Sequence, residues 1–207
     1  MNLCYVLLAL ALLLPIHGSP NLAPGQPSQP ATADVPTYTA DGQLIFPANY
    51  REWIYLTSGL DMSYAPRFGN SMGHSMFDNV FVSPSAYKAF LQTGTWPDKT
   101  MLVLEVRGAG SNASINKSGH FQTTEFMGSE VHVKDDRLPG KWAFFGFDDP
   151  AAKPTTKAFP HEMDCYSCHE KNGAVDTTFV QFYPTLIKLA EEKGTLSPSY
   201  KAEEAKK

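Results

Sequence analysis

The sequence predicts an α+β fold, in which a mainly antiparallel β-sheet is joined by a few helices and a C-terminal segment with a cysteine and histidine motif. Four stretches are rich in the β-branched and aromatic residues of strands: residues 79–83, 100–107, 130–134 and 141–147. Helical patterns occur only between the first two stretches and at the end of the chain. Because strands and helices do not alternate regularly, the sheet is predicted to be antiparallel.

Both ends of the chain are predicted to lie outside the folded domain. An apolar run from Leu3 to Leu14 is followed by small and turn-forming residues, which predicts a signal peptide over residues 1–18. No Lys or Arg precedes the run, so an uncleaved membrane anchor stays an alternative. Residues 19–37 contain five prolines and are predicted to form an extended linker. The domain then covers residues 38–196, and the charged tail 197–207 is expected to fray.

Two helices are predicted from their end signals and spacing. Ser83 followed by Pro84 is typical of a helix start, and Gly94 of the position after its end. A second helix is predicted over residues 176–193, where large apolar side chains recur on one helical face. Pro184 lies inside this stretch and is expected to kink or split the helix.

The predicted strand over residues 100–107 has one apolar face, as the alternation of its side chains shows. Leu102, Leu104 and Val106 share this face because successive side chains of a strand point to opposite sides. Glu105 points the other way and is expected to reach solvent.

The strand over residues 130–134 has a polar face made of Glu130, His132 and Lys134. Two interpretations stay open. In the first, the face is an ordinary solvated surface. In the second, one end of it looks into a pocket, where Glu130 would act as a proton acceptor.

The composition excludes some classes of partner. The chain is 43% hydrophobic and 12% aromatic, which is enough to bury a core and to surround a flat apolar cofactor. There are 17 basic and 21 acidic residues, and the formal net charge is −4. No basic stripe is visible along the sequence, so nucleic acid is not an expected partner.

A C-x-x-C-H motif is formed by Cys165-Tyr166-Ser167-Cys168-His169. In c-type attachment, two thiols one helical turn apart add to the two vinyl groups of haem, and the adjacent histidine binds the iron. The motif therefore predicts one covalent haem c, with His169 as the iron ligand. Attachment of this kind occurs outside the bacterial cytoplasm, which agrees with an export signal.

Two other sites use a C-x-x-C pair, and both are less suited to this position. A thioredoxin-like dithiol lies between a strand and a helix early in a βαβ unit, whereas Cys165 and Cys168 lie near the C-terminus. A structural zinc site needs a second pair of ligands with similar spacing, and the sequence contains no such pair. Cys4 would be removed with the signal peptide, which leaves no disulfide framework.

The sixth position of the iron would decide between electron transfer and ligand chemistry. A strong second ligand gives an electron carrier, and an open position gives binding or catalysis. His132 is a candidate for such a ligand, although a histidine on the polar face of a strand is usually solvated. None of the methionines has a diagnostic setting.

A set of short stretches between residues 42 and 184 follows the pattern of one known family. In chain order they are PANYREW at 47–53, VFV at 80–82 with Pro84 and Tyr87, TG at 93–94 with Asp98 and Thr100, VKD at 133–135, WAF at 142–144, the C-x-x-C-H motif, and FYP at 182–184. With these stretches the chain resembles the cytochrome P-460 family over nearly all of its mature domain.

The resemblance implies a small, mainly antiparallel β fold, a homodimer, and a five-coordinate haem that oxidises hydroxylamine or binds nitric oxide. A distal glutamate of the hydroxylamine-oxidising members matches Glu130, and a distal arginine matches Asp78 across a loop. In those members a lysine is bonded to the haem edge, but the matching residue here is Leu104. A sister group, the cytochromes c′-beta, has the fold without the lysine bond and a more hydrophobic distal pocket.

Three functions follow as hypotheses. In the first, the chain is an exported oxidoreductase of hydroxylamine or a similar small nitrogen ligand, with Glu130 as the catalytic proton acceptor. In the second, it captures nitric oxide without turnover, and Leu104 forms one wall of its pocket. In the third, it is an electron carrier. The expected location is periplasmic or secreted. The electron-transfer partner cannot be named from the sequence.

Overall fold

The computed structural model describes residues 34–63 and 75–207. The predicted signal peptide at 1–18 and most of the linker at 19–37 lie outside the described residues. Within the described ranges, no helix has the length and apolar character needed to cross a membrane.

The predicted α+β fold with a mainly antiparallel sheet is confirmed. Five strands form the main sheet in the order β2-β3-β4-β5-β6, and every neighbouring pair is antiparallel. A small two-stranded sheet pairs β1 with β7. The strands are β1 Leu44–Ile45, β2 Ile54–Leu60, β3 Met76–Val82, β4 Met101–Gly110, β5 Phe121–Lys134, β6 Trp142–Phe147 and β7 Thr155–Thr156. The strand β2 was not predicted.

The helices are short and lie between or after the strands. They are α1 Pro84–Thr93, α2 Asp164–Asn172, α3 Ile187–Glu192 and α4 Pro198–Glu204. Three single 3₁₀ turns occur at Tyr50–Glu52, Pro139–Lys141 and Val180–Phe182.

The two faces of the main sheet are covered by different parts of the chain. On one face, Met101 and Val103 of β4 pack with Phe46 and Tyr50 from the N-terminal segment. On the other face, Leu102 packs in a core cluster formed with α1, α2, the C-terminal segment and α3. This second face carries the even-numbered residues of β4 and β5, and we call it the cavity face because a cavity opens on it.

The helix α1 begins and ends as predicted. Ser83 precedes the first turn, Pro84 occupies it, and Gly94 adopts a left-handed conformation with φ of 76°. The Gly94 N–H donates to the carbonyl oxygen of Phe90 and thereby closes the last turn. At the other end, the carboxylate of Asp34 accepts a hydrogen bond of 2.6 Å from the Ser85 N–H.

The helix predicted over residues 176–193 is wrong in its first half. A tight turn at residues 175–178, a 3₁₀ turn and an irregular stretch precede α3, which begins only at Ile187. Pro184 has no N–H and its ring obstructs helical continuation, so the apolar spacing here does not come from one helix. The helical part ends before Gly194, which has φ of 73°.

The predicted tail at residues 197–207 contains the helix α4, which spans Pro198–Glu204. The side chain of Ser197 caps α4 by accepting a hydrogen bond of 3.2 Å from the Tyr200 N–H. Tyr200 also packs against the core cluster on the cavity face of the sheet. One aromatic contact and one cap therefore fix this helix, in which the charged side chains of Lys201, Glu203 and Glu204 are exposed.

Glu105 is buried, although the sequence predicted that it would reach solvent. Its side chain does lie on the sheet face opposite the cavity, as the alternation predicted, but the N-terminal segment covers that face. Only 1% of Glu105 is exposed. Tyr50, Arg51 and Arg107 all donate hydrogen bonds to its carboxylate.

Candidate functional site

A cavity of about 280 Å³ lies between the cavity face of the sheet and the C-terminal segment. Its walls are mostly apolar, with a few polar groups directed to one space, as is typical of cofactor and ligand sites. The lining residues are Thr57, Gly59, Met62, Met76, Asp78, Val80, Leu102, Leu104, Glu130, His132, His169, Thr178, Phe179, Phe182 and Tyr183.

The central wall of the cavity is set by the register of three strands. Val80 of β3 is directly opposite Leu104 of β4, and Leu104 is directly opposite Glu130 of β5. Two residues earlier on β4, Leu102 lies opposite His132 of β5. Because side chains opposite each other in a sheet lie on the same face, this register brings apolar and polar groups together in one wall.

Part of the polar face of β5 lines the cavity, as the second interpretation proposed, while 47% of the Glu130 side chain is exposed. Glu130 and His132 both line the cavity, and Lys134 is buried at the end of the strand. The Nε2 atom of His132 lies 3.4 Å from a carboxylate oxygen of Glu130. The hydrogen bond from His132 is the main reason that the pKa of Glu130 is lowered, against the opposing effect of burial. The carboxylate is therefore ionised at neutral pH.

The C-x-x-C-H motif lies on α2, within a single stretch of helix. Residues three and four apart share one helical face, so Cys165, Cys168 and His169 point to the same side of α2. Both cysteines are free thiols of intermediate burial. Cys165 packs against the core cluster on the cavity face, and burial raises the pKa of its thiol.

His169 reaches into the cavity and is held by neighbours on several sides. Its ring stacks on Phe179 with a centroid distance of 4.1 Å, and it also contacts the rings of Phe144 and His132. Its Nδ1 atom lies 3.1 Å from the carbonyl oxygen of Thr177. A carbonyl can only accept, so Nδ1 carries the proton and Nε2 keeps its lone pair.

The surroundings of His169 favour the neutral imidazole that binds metals. Burial, followed by the nearby His132, lowers the pKa of His169 to about 3. A metal-bound histidine commonly donates its other ring N–H to a backbone carbonyl, as His169 does to Thr177.

The residues of this site fit a haem group. The helix α2 presents two thiols and an imidazole with a free lone pair on one side, next to a cavity with largely apolar walls. A zinc site fits less well, because the described ranges 34–63 and 75–207 contain no group of three or more His, Cys, Asp or Glu side chains arranged to hold a metal ion.

Several lining residues were missed by sequence reasoning. Thr57 and Gly59 come from β2, which was not predicted, and Phe179 comes from a stretch that was predicted as helix. Thr177 supports His169 through its backbone, so its side chain gives no sequence signal. Asp78, which the resemblance aligned only across a loop, does line the cavity.

Comparison with known proteins identifies the family. No curated protein matches the chain. The family model described as Cytochrome P460 matches residues 47–180, more than half of the chain. The match covers β2 to β6, the C-x-x-C-H motif of α2 and the turn that supports His169. Members of this family carry haem, in agreement with the site. The chain therefore belongs to the cytochrome P460 family and is a haem-binding cytochrome.

Proposed function

We propose that the chain is an exported cytochrome with one haem c, bound covalently through Cys165 and Cys168, and that it carries out redox chemistry on small nitrogen ligands such as hydroxylamine. In this proposal His169 would bind the iron, and the iron would keep a position free for small ligands. The observation that carries the proposal is the cavity itself, in which an ionised carboxylate, Glu130, and the predicted iron ligand share one mostly apolar space.

The reaction needs both an electron sink and a proton acceptor. A bound haem supplies an iron that can hold a small nitrogen ligand and pass its electrons to an external acceptor. Complete oxidation of hydroxylamine to nitric oxide releases three protons together with three electrons. Glu130 provides the proton acceptor because its carboxylate is ionised at neutral pH. His132 lies beside this carboxylate and offers a second group that can carry a proton away.

A second candidate function is capture of nitric oxide without turnover, as in the cytochromes c′-beta. The apolar part of the cavity supports this alternative, since Val80, Leu102 and Leu104 form a continuous aliphatic wall across three strands. Leu104 stands where the hydroxylamine-oxidising members have their cross-linking lysine. The carboxylate of Glu130 favours oxidation, and the leucine favours simple binding.

Electron transfer alone is the least supported function. It would need a second strong ligand, and His132 is the nearest histidine to His169 in the cavity. The two rings contact each other directly, with a centroid distance of 5.0 Å and an interplanar angle of 84°. An electron carrier would not need the ionised carboxylate of Glu130 in the same cavity, so the other two candidate functions are favoured.

The remaining features of the proposal come from the sequence. The apolar run at Leu3 to Leu14 supports export to the periplasm or secretion, with an uncleaved anchor as the alternative. The family suggests a homodimer. Electrons from the substrate would pass to a separate redox protein.

The test uses the purified full-length protein with its haem. The ferric and ferrous absorption spectra are recorded with and without nitric oxide, and hydroxylamine oxidation is followed with an artificial electron acceptor. High-spin spectra, nitric oxide binding and turnover are the expected results. Nitric oxide binding without turnover would assign the second candidate function. A low-spin ferric spectrum at neutral pH would contradict both and support electron transfer.

A further inference from the structure

The residue that supports His169 lies in an unusual turn. The Thr178 N–H donates to the carbonyl oxygen of Val175 over 2.9 Å, which closes a four-residue β-turn. Both central residues have positive φ, 50° at Asp176 and 63° at Thr177. Positive φ at both central positions is the pattern of a type I′ turn.

Thr177 is an unfavourable residue for this conformation. Type I′ turns prefer Asn-Gly or Asp-Gly, because a Cβ atom clashes with the backbone in the left-handed region. A β-branched residue there is a genuine outlier, which persists only if the surrounding structure enforces it. The turn must therefore be held from outside.

The holding contacts come from Lys134 at the end of β5. Its Nζ atom donates to a carboxylate oxygen of Asp176 and, over 2.6 Å, to the carbonyl oxygen of Trp96. The indole N–H of Trp96 donates to the hydroxyl of Thr178 over 2.8 Å. The ammonium of Lys134 and the indole of Trp96 thus hold the turn at two of its residues.

The held turn presses directly against the haem-binding helix. A Cβ atom added to Gly173 would lie 2.7 Å from the His169 carbonyl oxygen and 2.8 Å from the Thr178 nitrogen. Only a glycine allows the two backbones to approach this closely. Because the turn and the helix approach each other so closely, the Thr177 carbonyl oxygen lies within hydrogen-bond distance, 3.1 Å, of Nδ1 of His169.

We infer that Lys134 is a positioning residue for the iron ligand. Through Asp176 it keeps the Thr177 carbonyl aimed at Nδ1 of His169, and so it sets the orientation and the basicity of that imidazole. The inference rests on the proposal that His169 binds the haem iron. Lys134 does not itself touch the cavity, because its ammonium is occupied by Trp96 and Asp176.

The expected effect follows from the hydrogen bond at Nδ1. A strong bond to a carbonyl gives the imidazole more electron density, which strengthens its bond to iron and favours the ferric state. If the turn relaxes, the bond from Nδ1 lengthens or breaks. The iron–histidine stretching frequency of the ferrous protein should then fall, and the ferric to ferrous ratio should shift about tenfold toward ferrous, which corresponds to about 59 mV in reduction potential.

The test compares Lys134→Met with Asp176→Ala and Asp176→Asn in the haem-loaded protein. Lys134→Met and Asp176→Ala remove the contact and should both lower the frequency and raise the potential. Asp176→Asn keeps an acceptor for Lys134, and Asn tolerates positive φ, so it should stay close to wild type. The matched control is Lys99→Met. It removes another lysine that is paired with a buried carboxylate, Asp135, but has no contact with the turn.

A double variant separates positioning from general loss of stability. Thr177→Gly keeps the backbone carbonyl and creates an Asp-Gly pair, which forms a type I′ turn without outside help. The Thr177→Gly change should therefore restore most of the frequency and potential that Lys134→Met alone has lost. The effects of the two substitutions should therefore not add, because both act on the same turn at residues 175–178.

The outcomes distinguish the inference from the function on which it rests. If the wild-type protein has no iron–histidine band, or keeps it in His169→Ala, the assignment of the iron ligand fails. If the wild-type band depends on His169 but does not move in Lys134→Met and Asp176→Ala, only the inference about Lys134 fails. A shift of equal size in Lys99→Met would also overturn the inference.

Discussion

Leu104 of β4 lies directly opposite Glu130 of β5, and both side chains line the cavity that His169 enters. In the proposed match to the hydroxylamine-oxidising members of the family, Leu104 takes the place of their cross-linking lysine, and Glu130 corresponds to their distal carboxylate.

Glu130 is predicted to act as a base. Glu130→Gln keeps the size of the side chain and should keep the fold, but it should reduce hydroxylamine oxidation about a hundredfold or more, the usual scale for loss of a general base. Nitric oxide binding transfers no proton and should change far less. Glu125→Gln is the control, because Glu125 lies exposed on the same strand outside the cavity. Equal small effects on both measurements would refute this role.

The pH dependence of turnover gives a second check on Glu130. The hydrogen bond from His132 lowers the pKa of Glu130 below the ordinary glutamate value of 4.5. The basic form is therefore present at all pH values above that, and protonation removes it only under more acidic conditions. Turnover limited by this group should hold down to about pH 4.5 and fall below it. A decline centred near neutrality would point to another group.

No lysine is predicted to be bonded to the haem. Leu104 has no amine, and the residues that line the cavity within the described ranges include no lysine. Lys99 is held 2.6 Å from a carboxylate oxygen of Asp135, and Lys134 is bound to Trp96 and Asp176. The ferrous spectrum should resemble that of an ordinary high-spin haem c. The haem-bearing tryptic peptide should be residues 158–171, which end at Lys171. A haem that also links a second peptide, with a lysine from outside residues 158–171, would contradict the prediction.

Covalent attachment is predicted to depend on both cysteines. A thiol adds across a vinyl double bond without loss of atoms, so the intact mass should equal the processed chain plus one haem. Cys168→Ala should weaken or abolish stable incorporation, and His169→Ala should change the spectrum through loss of the iron ligand. Covalent haem in a protein with both Cys165→Ala and Cys168→Ala would refute the proposed attachment.

Glu105 is predicted to stabilise the fold from the opposite face of the sheet. Burial alone would raise its pKa, but hydrogen bonds from Arg107 and Tyr50 and the charge of Arg51 outweigh burial and lower it. Glu105→Gln should reduce the free energy of unfolding at neutral pH by about 2 kcal/mol. This loss of stability is smaller than the loss expected when a fully buried ion pair is broken, because the Arg51 side chain is 55% exposed and water can solvate its charge.

The sign of the pH effect follows from the lowered pKa of Glu105. A carboxyl whose pKa is lower in the folded than in the unfolded protein stabilises the fold above its unfolded value, and this contribution is lost as the pH falls through the folded value. The difference between wild type and Glu105→Gln in urea unfolding should therefore shrink below about pH 4.5. Glu52→Gln, at an exposed position, is the control. A difference that is independent of pH would contradict the prediction.

The sequence by itself determined the features that depend on local chemistry. The C-x-x-C-H motif predicted the haem-binding segment, because thioether attachment and iron ligation need those residue types at that spacing. The period of two in residues 100–107 placed Leu104 and Glu105 on opposite faces, and Ser83, Pro84 and Gly94 marked a helix, because strand pleating and helix ends are set by a few adjacent residues.

Only the tertiary structure decided which of these faces are buried and what meets in the cavity. Glu105 is covered by a segment about 55 residues away in sequence, so its burial has no local signal. Glu130 lines a cavity because β4, β5 and the C-terminal segment come together around that space. Lys134, Asp176 and Thr177 act together through contacts across some 40 residues, and one of them acts only through its backbone carbonyl. Such long-range contacts depend on how the whole chain packs, which the pattern of one segment does not contain.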